Sequence, residues 1–215
     1  MRNTLLFDLD GTLTDPGEGI TNSVAYALNK WNIQVKDKSE LYPFIGPPLI
    51  DSFMGVYGFS KEKAKKSVEY YREYFSKKGM FENVVIDGVE DMLKTLKQAN
   101  KTLLICTSKP QEFTEKILKH FGLDKYFNFV VGASMDEKIS KKEDVIAYAI
   151  RKHNLDILDS VMIGDRNFDV DGGHVNKMIS VGVTYGYGDY QELKNANAEY
   201  IVDSVEQLKQ ILLKI

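Results

Sequence analysis

Two aspartates two positions apart, Asp8 and Asp10, close the apolar run of "LLFDLDGTLTD" at residues 5 to 15. Residues two apart on a strand point the same way, so both carboxylates begin on one side of the chain where its first strand should end. Adjacent carboxylates repel, and sharing a site raises the proton affinity of one of them. A second acidic strand end stands in "SVMIGDRNFDVDGG", where Asp165 follows the apolar run, Asp169 lies four residues on and Asp171 beyond it. Bringing several carboxylates together is costly unless a cation sits among them. Oxygen-only donors suit a hard divalent ion, and Mg²⁺ with few protein ligands and several waters is the usual case beside a phosphate.

Two further strand ends carry polar groups. "LLICTSKP" supplies Thr107, Ser108 and Lys109, and "ISKKEDVIAYA" supplies Lys141 and Lys142 at the start of a helix. A lysine with a threonine or serine at the same edge completes a cradle for a phosphoryl group. One aspartate can then act as nucleophile towards phosphorus while the second handles protons, because different surroundings push two carboxyl pKa values apart.

These residues need elements that bring distant strand ends together. Apolar runs at Thr4 to Phe7, Thr102 to Cys106, Phe129 to Val131, Ser160 to Ile163, Ile179 to Val183 and Tyr200 to Val202 read as strands, most of them followed by helical spacing. The alternation predicts an α/β fold, a doubly wound parallel sheet with helices on both faces and the site beyond the carboxyl ends of its strands. One interval breaks it: residues 14–85 hold helix-like segments such as Ser23 to Trp31 and Lys61 to Lys77, with no convincing strand until Val84. The expected organisation is a catalytic core of residues 1–13 and 86–215 with an inserted α-helical cap of residues 14–85. Its hinges are expected at "TDPG", 14 to 17, and "MFENVVIDG", 80 to 88. Ser204 to Ile215 reads as a closing helix with Ser204 as N-cap.

With 215 residues, 43% hydrophobic, 27% charged and a formal net charge of -3, the chain is expected to be an ordinary globular protein with no electrostatic case for nucleic acid. No apolar stretch approaches the roughly 20 residues that span a bilayer, and charge enters too early at the N-terminus for a signal peptide. A cytoplasmic protein, monomer or homodimer, with a small-molecule phosphate monoester as partner and no membrane, is the expectation. The single cysteine, Cys106, excludes an intrachain disulfide and a cysteine metal site.

D-L-D-G-T, a small polar residue after a second strand, a later lysine and G-D-R-x-x-D together resemble the haloacid dehalogenase superfamily, in the branch with a helical cap after the first motif. The resemblance covers essentially the whole chain. Through "FIGPPL" at 44 to 49 and "GVTYGYGDYQEL" at 182 to 193 it is most similar to phosphoglycolate phosphatases and 5'-nucleotidase-like relatives. The resemblance implies a Rossmann-like core and a Mg²⁺-dependent phosphatase acting on phosphoglycolate or nucleoside 5'-monophosphates through a phospho-aspartyl intermediate. It implies Asp8 as nucleophile and metal ligand, and Asp10 as general acid and base that also lends the metal its backbone carbonyl. Thr107 and Ser108 would bind phosphate, Lys142 would balance its charge, Asp165 would hold the metal, and Asp169 and Thr12 would support the site. The third motif departs from the K-P-x-P of many relatives, being "KKED", so Lys141 competes with Lys142; Ser108 stands where many relatives carry asparagine.

Plainer readings exist beside these. Asp171 suits a turn or a helix cap, the three histidines lack ligand spacing, and Cys106 reads as an inert core residue. "FIGPPLIDSF" reads equally as a turn entering a helix and as a loop shaping a leaving-group pocket. The rival functions are a phosphosugar mutase and a non-catalytic phosphate-binding module.

Overall fold

The computed structural model describes residues 2–136 and 138–215. The chain forms two compact units, residues 1–15 with 85–215, and residues 16–84. The first is built on a six-stranded sheet of β1 (Thr4–Phe7), β4 (Thr102–Pro110), β5 (Phe129–Ala133), β6 (Ser160–Gly164), β7 (Ile179–Val183) and β8 (Tyr200–Val202). Its spatial order is β5-β4-β1-β6-β7-β8, and every neighbouring pair is parallel. Parallel strands need covered faces, which is why Leu5, Leu6, Phe7, Leu103, Leu104 and Ile105 form unbroken apolar runs and are all fully buried.

Six helices of this unit are α4 (Val89–Gln98), α5 (Gln111–His120), α6 (Lys142–His153), α7 (Asn167–Val175), α8 (Tyr190–Asn195) and α9 (Val205–Lys214). Val145, Ile146 and Ala149 of α6 join Leu6, Leu104, Cys106, Val131 and Met162 in one buried cluster. Alternate residues of β1 therefore face opposite layers. Ser204 caps α9, its hydroxyl accepting from the Gln207 N–H at 3.4 Å. Sequence order runs from β1 to β4 and β5 on one side, then to β6, β7 and β8 on the other. The reversal places the topological switch point at the carboxyl end of β1, where Asp8 and Asp10 stand.

The second unit holds α1 (Gly17–Asn29), a 3₁₀ turn at Lys38–Phe44, α2 (Leu49–Tyr57), α3 (Lys61–Tyr74) and a π turn at Phe75–Gly79. The helix expected from Ser23 starts earlier because its buried stripe, Ile20, Val24, Ala27 and Leu28, already has helical spacing one turn before. The helix expected to reach Lys77 instead changes into the π turn after Tyr74. Phe44, Phe53 and Phe59 make an aromatic interior, with ring centroids 4.9 Å apart for Phe44 and Phe53 and 6.0 Å for Phe53 and Phe59. Phe44 and Ile45 are thus interior residues, and Pro48 stands at the N-cap of α2. Of "FIGPPL", the residues left partly exposed are Gly46 to Leu49.

β2 (Thr14–Asp15) and β3 (Val84–Val85) pair as a two-stranded ribbon apart from the main sheet. It forms where the chain leaves the first unit and returns, and Thr14 and Asp15 stay with that unit. Among the described residues, no helix is long and apolar enough to cross a membrane.

Candidate active site

Asp8 follows the last residue of β1 and its N–H donates to the Ile163 carbonyl of β6 at 2.8 Å, so the strand ladder itself fixes its position. Gly11 then turns the chain with φ of +80°; a Cβ there would lie 2.1 Å from Asp165 Oδ2, so only glycine lets this turn press against the end of β6. One carboxylate oxygen each of Asp8, Asp165 and Asp169 lies within 4.8 Å of the others, and all three residues are buried.

Lys142 enters this cluster from the first turn of α6, where a cation opposes the helix dipole and needs compensation. Its Nζ lies 2.7 Å from Asp8 Oδ1 and 2.7 Å from Asp169 Oδ1, and donates to the Cys106 carbonyl at 3.1 Å. Burial works against its charge, but Asp169 and Asp8 outweigh it and hold the ammonium above its usual range. Lys141 is exposed and serves only as the backbone N-cap of α6.

Three carboxylates face one ammonium, leaving a formal excess of two negative charges. Burial, with Asp169 and Asp8 adding repulsion, raises the Asp165 carboxyl well above its ordinary value. Burial likewise lifts Asp169 to about 6, although Lys142 pulls it down. Asp165 Oδ2 accepts from the Tyr187 N–H at 2.7 Å, while its Oδ1 has no hydrogen-bond partner among the described residues. Asp169 Oδ2 accepts from the Arg166 N–H at 3.1 Å, which fixes the side chain at the start of α7. An all-oxygen donor set with an unpartnered buried oxygen and a two-charge deficit fits a hard divalent cation.

Asp10 does not join the three. Its Oδ2 pairs with Lys109 Nζ at 2.7 Å, both side chains buried. Burial raises the Asp10 carboxyl, with Lys109 opposing. The sequence named Lys109 at a strand end without giving it a role. Its signal was spacing: Thr107 and Lys109 stand two apart at the end of β4, as Asp8 and Asp10 do at the end of β1.

Thr107 is buried, its Oγ1 accepting from the Lys109 N–H at 3.2 Å, and Ser108 beside it is partly exposed. Thr12 is buried, its hydroxyl without a hydrogen-bond partner among the described residues, and its carbonyl accepts from the Tyr185 hydroxyl at 3.2 Å. Asp171 is exposed on the second turn of α7, accepting from Asn167 at 3.3 Å. His174 pairs with Glu199 at 3.1 Å, and His153 stacks on Phe129. Burial pushes the Cys106 thiol up to about 12, which makes it an inert core group.

The chain matches the profile of haloacid dehalogenase-like hydrolases over residues 5–183. It is 40% identical to a 5'-nucleotidase of Pseudomonas aeruginosa over 97% of this chain and 94% of that one. It is 32% identical to the tyrosine-protein kinase PtkA of Mycobacterium tuberculosis, over 97% of this chain and 72% of that one. A crystal structure of a predicted phosphatase from Clostridium acetobutylicum superposes with a TM-score of 0.98 at 53% identity, covering all of both chains. The chain belongs to the haloacid dehalogenase-like hydrolase family, as an enzyme of its phosphoric monoester hydrolase kind.

Proposed function

We propose that this chain is a Mg²⁺-dependent phosphatase of small phosphate monoesters, acting in the cytoplasm on nucleoside 5'-monophosphates or phosphoglycolate through a phospho-aspartyl intermediate. The observation that carries this reading is the meeting of three buried carboxylates and one ammonium at the carboxyl ends of β1 and β6. Asp8, Asp165 and the Asp10 carbonyl would hold the ion, with Asp169 in support. When bound, it offsets the repulsion between an anionic nucleophile and an anionic phosphate.

With Asp8 Oδ1 engaged by Lys142, Oδ2 is the attacking atom. It forms a bond to phosphorus as the bond from phosphorus to the ester oxygen breaks, and Asp10 gives that oxygen its proton. In the second step Asp10 takes a proton from water, the water oxygen bonds to phosphorus, and the Asp8 acyl phosphate bond breaks to release inorganic phosphate. Thr107 and Ser108 hold phosphate oxygens, and Lys142 balances the charge of phosphate and Asp8 together. The unit of residues 16–84 acts as the cap, excluding bulk water in the first step and selecting the leaving group.

The 5'-nucleotidase relative supports nucleotides as the first class to assay. The test is release of inorganic phosphate from nucleoside monophosphates, phosphoglycolate, sugar phosphates, pyrophosphate and a phosphotyrosine peptide, before and after chelation. Turnover of a small monoester that is lost on chelation and restored by Mg²⁺ is expected. Full activity after exhaustive metal removal, or preference for the phosphopeptide, would overturn the reading. Isomerised sugar phosphate without phosphate release would favour the mutase, and binding without turnover the non-catalytic module.

A further inference from the structure

The "TYGYGD" stretch, residues 184–189, is absorbed by no step of the chemistry above, yet it is tied to the site at both ends. Its Tyr187 N–H donates to Asp165 Oδ2 at 2.7 Å, leaving Oδ1 as the oxygen available to an ion. The same residue's hydroxyl donates to Asp15 Oδ1 on β2, the strand by which the chain leaves the first unit. Tyr185 adds a second tie, its hydroxyl donating to the Thr12 carbonyl just before β2. Burial and Asp165 push that phenol up, so it remains a donor.

The stretch lies against Asp165 because its glycines allow it. A Cβ on Gly186 would meet Asp165 Oδ2 at 2.5 Å and the Gly11 carbonyl at 2.3 Å; one on Gly188 would meet the Asp165 carbonyl at 2.0 Å. Behind it, Asp189 caps α8 through the Glu192 N–H, and Glu192 accepts from Arg166 Nε and the Asn167 N–H, both at 2.9 Å. The strap is therefore anchored to the residues that follow Asp165 and does not float on one contact.

We infer that Tyr187 is a positioning residue which links the ion-binding carboxylate Asp165 to the outgoing strand β2, so that occupation of the ion site and restraint of the strand at Asp15 are coupled. The inference rests on the reading of Asp165 as a metal ligand. An ion drawn to Oδ1 orders the carboxylate, Oδ2 orders the Tyr187 amide, and the phenol of the same residue passes that order to Asp15. Two ends of one residue carry the link, so removing a single oxygen cuts it while the amide on Asp165 stays.

The test is hydrogen exchange of the amides of residues 13–15 and 84–86, expressed as protection factors with and without Mg²⁺, beside Mg²⁺ affinity by calorimetry. In the wild type, Mg²⁺ should raise protection of these amides. In Tyr187→Phe their metal-free protection should fall roughly fivefold to tenfold and the response to Mg²⁺ should disappear, with affinity for Mg²⁺ within about twofold of wild type. Asp15→Ala should give the same loss, and the double variant no more than either. Gly186→Ala, which forces the strap off Asp165, should instead weaken Mg²⁺ binding roughly tenfold. Equal hinge protection in wild type and Tyr187→Phe, or additive losses in the double variant, would overturn the link while leaving the metal reading standing. Failure of the wild type to bind Mg²⁺ would overturn that reading and this inference with it.

Discussion

Replacing Asp165 by asparagine should stabilise the metal-free protein while abolishing its response to Mg²⁺. The Asp165 carboxylate lies within 4.8 Å of those of Asp8 and Asp169, and two unit charges at that separation repel by about 3.5 kcal/mol at an effective dielectric constant of about 20. Two such neighbours make about 7 kcal/mol gross. The Lys142 ammonium, touching both neighbours, cancels much of this, and Asp165 escapes part of the remainder by taking up a proton. A net relief of about 1–3 kcal/mol is left, or a rise in Tm of roughly 2–12 °C in chelator for a chain of this size. The sign with pH is definite. A carboxyl whose folded pKa is raised contributes stability that is present below its unfolded value near 4 and lost as pH rises through the folded value, so the variant's advantage should vanish near pH 4 and grow above it. Thermal unfolding followed by circular dichroism, in chelator and at saturating Mg²⁺, measures all of this. Wild type should gain about 2.7 kcal/mol at a hundredfold excess of Mg²⁺ over its Kd, and the variant nothing. A variant less stable than wild type in chelator at pH 7, or one stabilised equally by Mg²⁺, would refute the electrostatic account of the cluster.

Asp8→Asn should lose essentially all phosphate release while its circular dichroism stays native, since asparagine keeps the side chain's shape and the buried Lys142 ammonium keeps Asp169 as its counter-ion. Lys142→Met should cost about 3 kcal/mol at pH 8, because Asp8 and Asp169 are left buried without their cation. The loss should shrink towards pH 5, where Asp169, already lifted to about 6, accepts a proton; denaturant titrations at the two pH values measure it. Cys106 should resist thiol reagents at pH 8 in the native protein and react at once in denaturant, as its thiol is pushed up to about 12. Substitutions confined to Gly46–Leu49 should change the ratio of rates between nucleotide and phosphoglycolate more than they change hydrolysis of a generic aryl phosphate, whereas Phe44→Ala should lower Tm by removing an aromatic interior contact.

The sheet was legible because parallel strands buried on both faces write themselves as unbroken apolar runs, as Leu103 to Cys106 and Val161 to Ile163 do. The acidic strand ends were legible for the opposite reason: charge at the end of such a run has no packing explanation. β2 and β3 were not, since two-residue strands carry no periodicity. "FIGPPL" read equally as a turn and as a pocket loop, and nothing local marked Phe44 as interior: its partners Phe53 and Tyr57 lie nine and thirteen positions away on the next helix. The pairing of Lys109 with Asp10 escaped similarly. Whether two strand ends touch depends on strand order, and the placement of β1 between β4 and β6 follows from topology rather than from either segment.

That central placement also sets a timetable for synthesis. Thr4 to Phe7 are made well before their partners Thr102 to Ile105 and Ser160 to Ile163, so β1 stays without either neighbour until β4 is made and without the second until β6 is made. Residues 16–84 have their own buried interior and are free to fold in that interval. Asp8 is thus made well before the strands that position it. A nascent chain released before β4 is made would carry Asp8 and Asp10 on a bare hydrophobic strand, the kind of segment that chaperones bind.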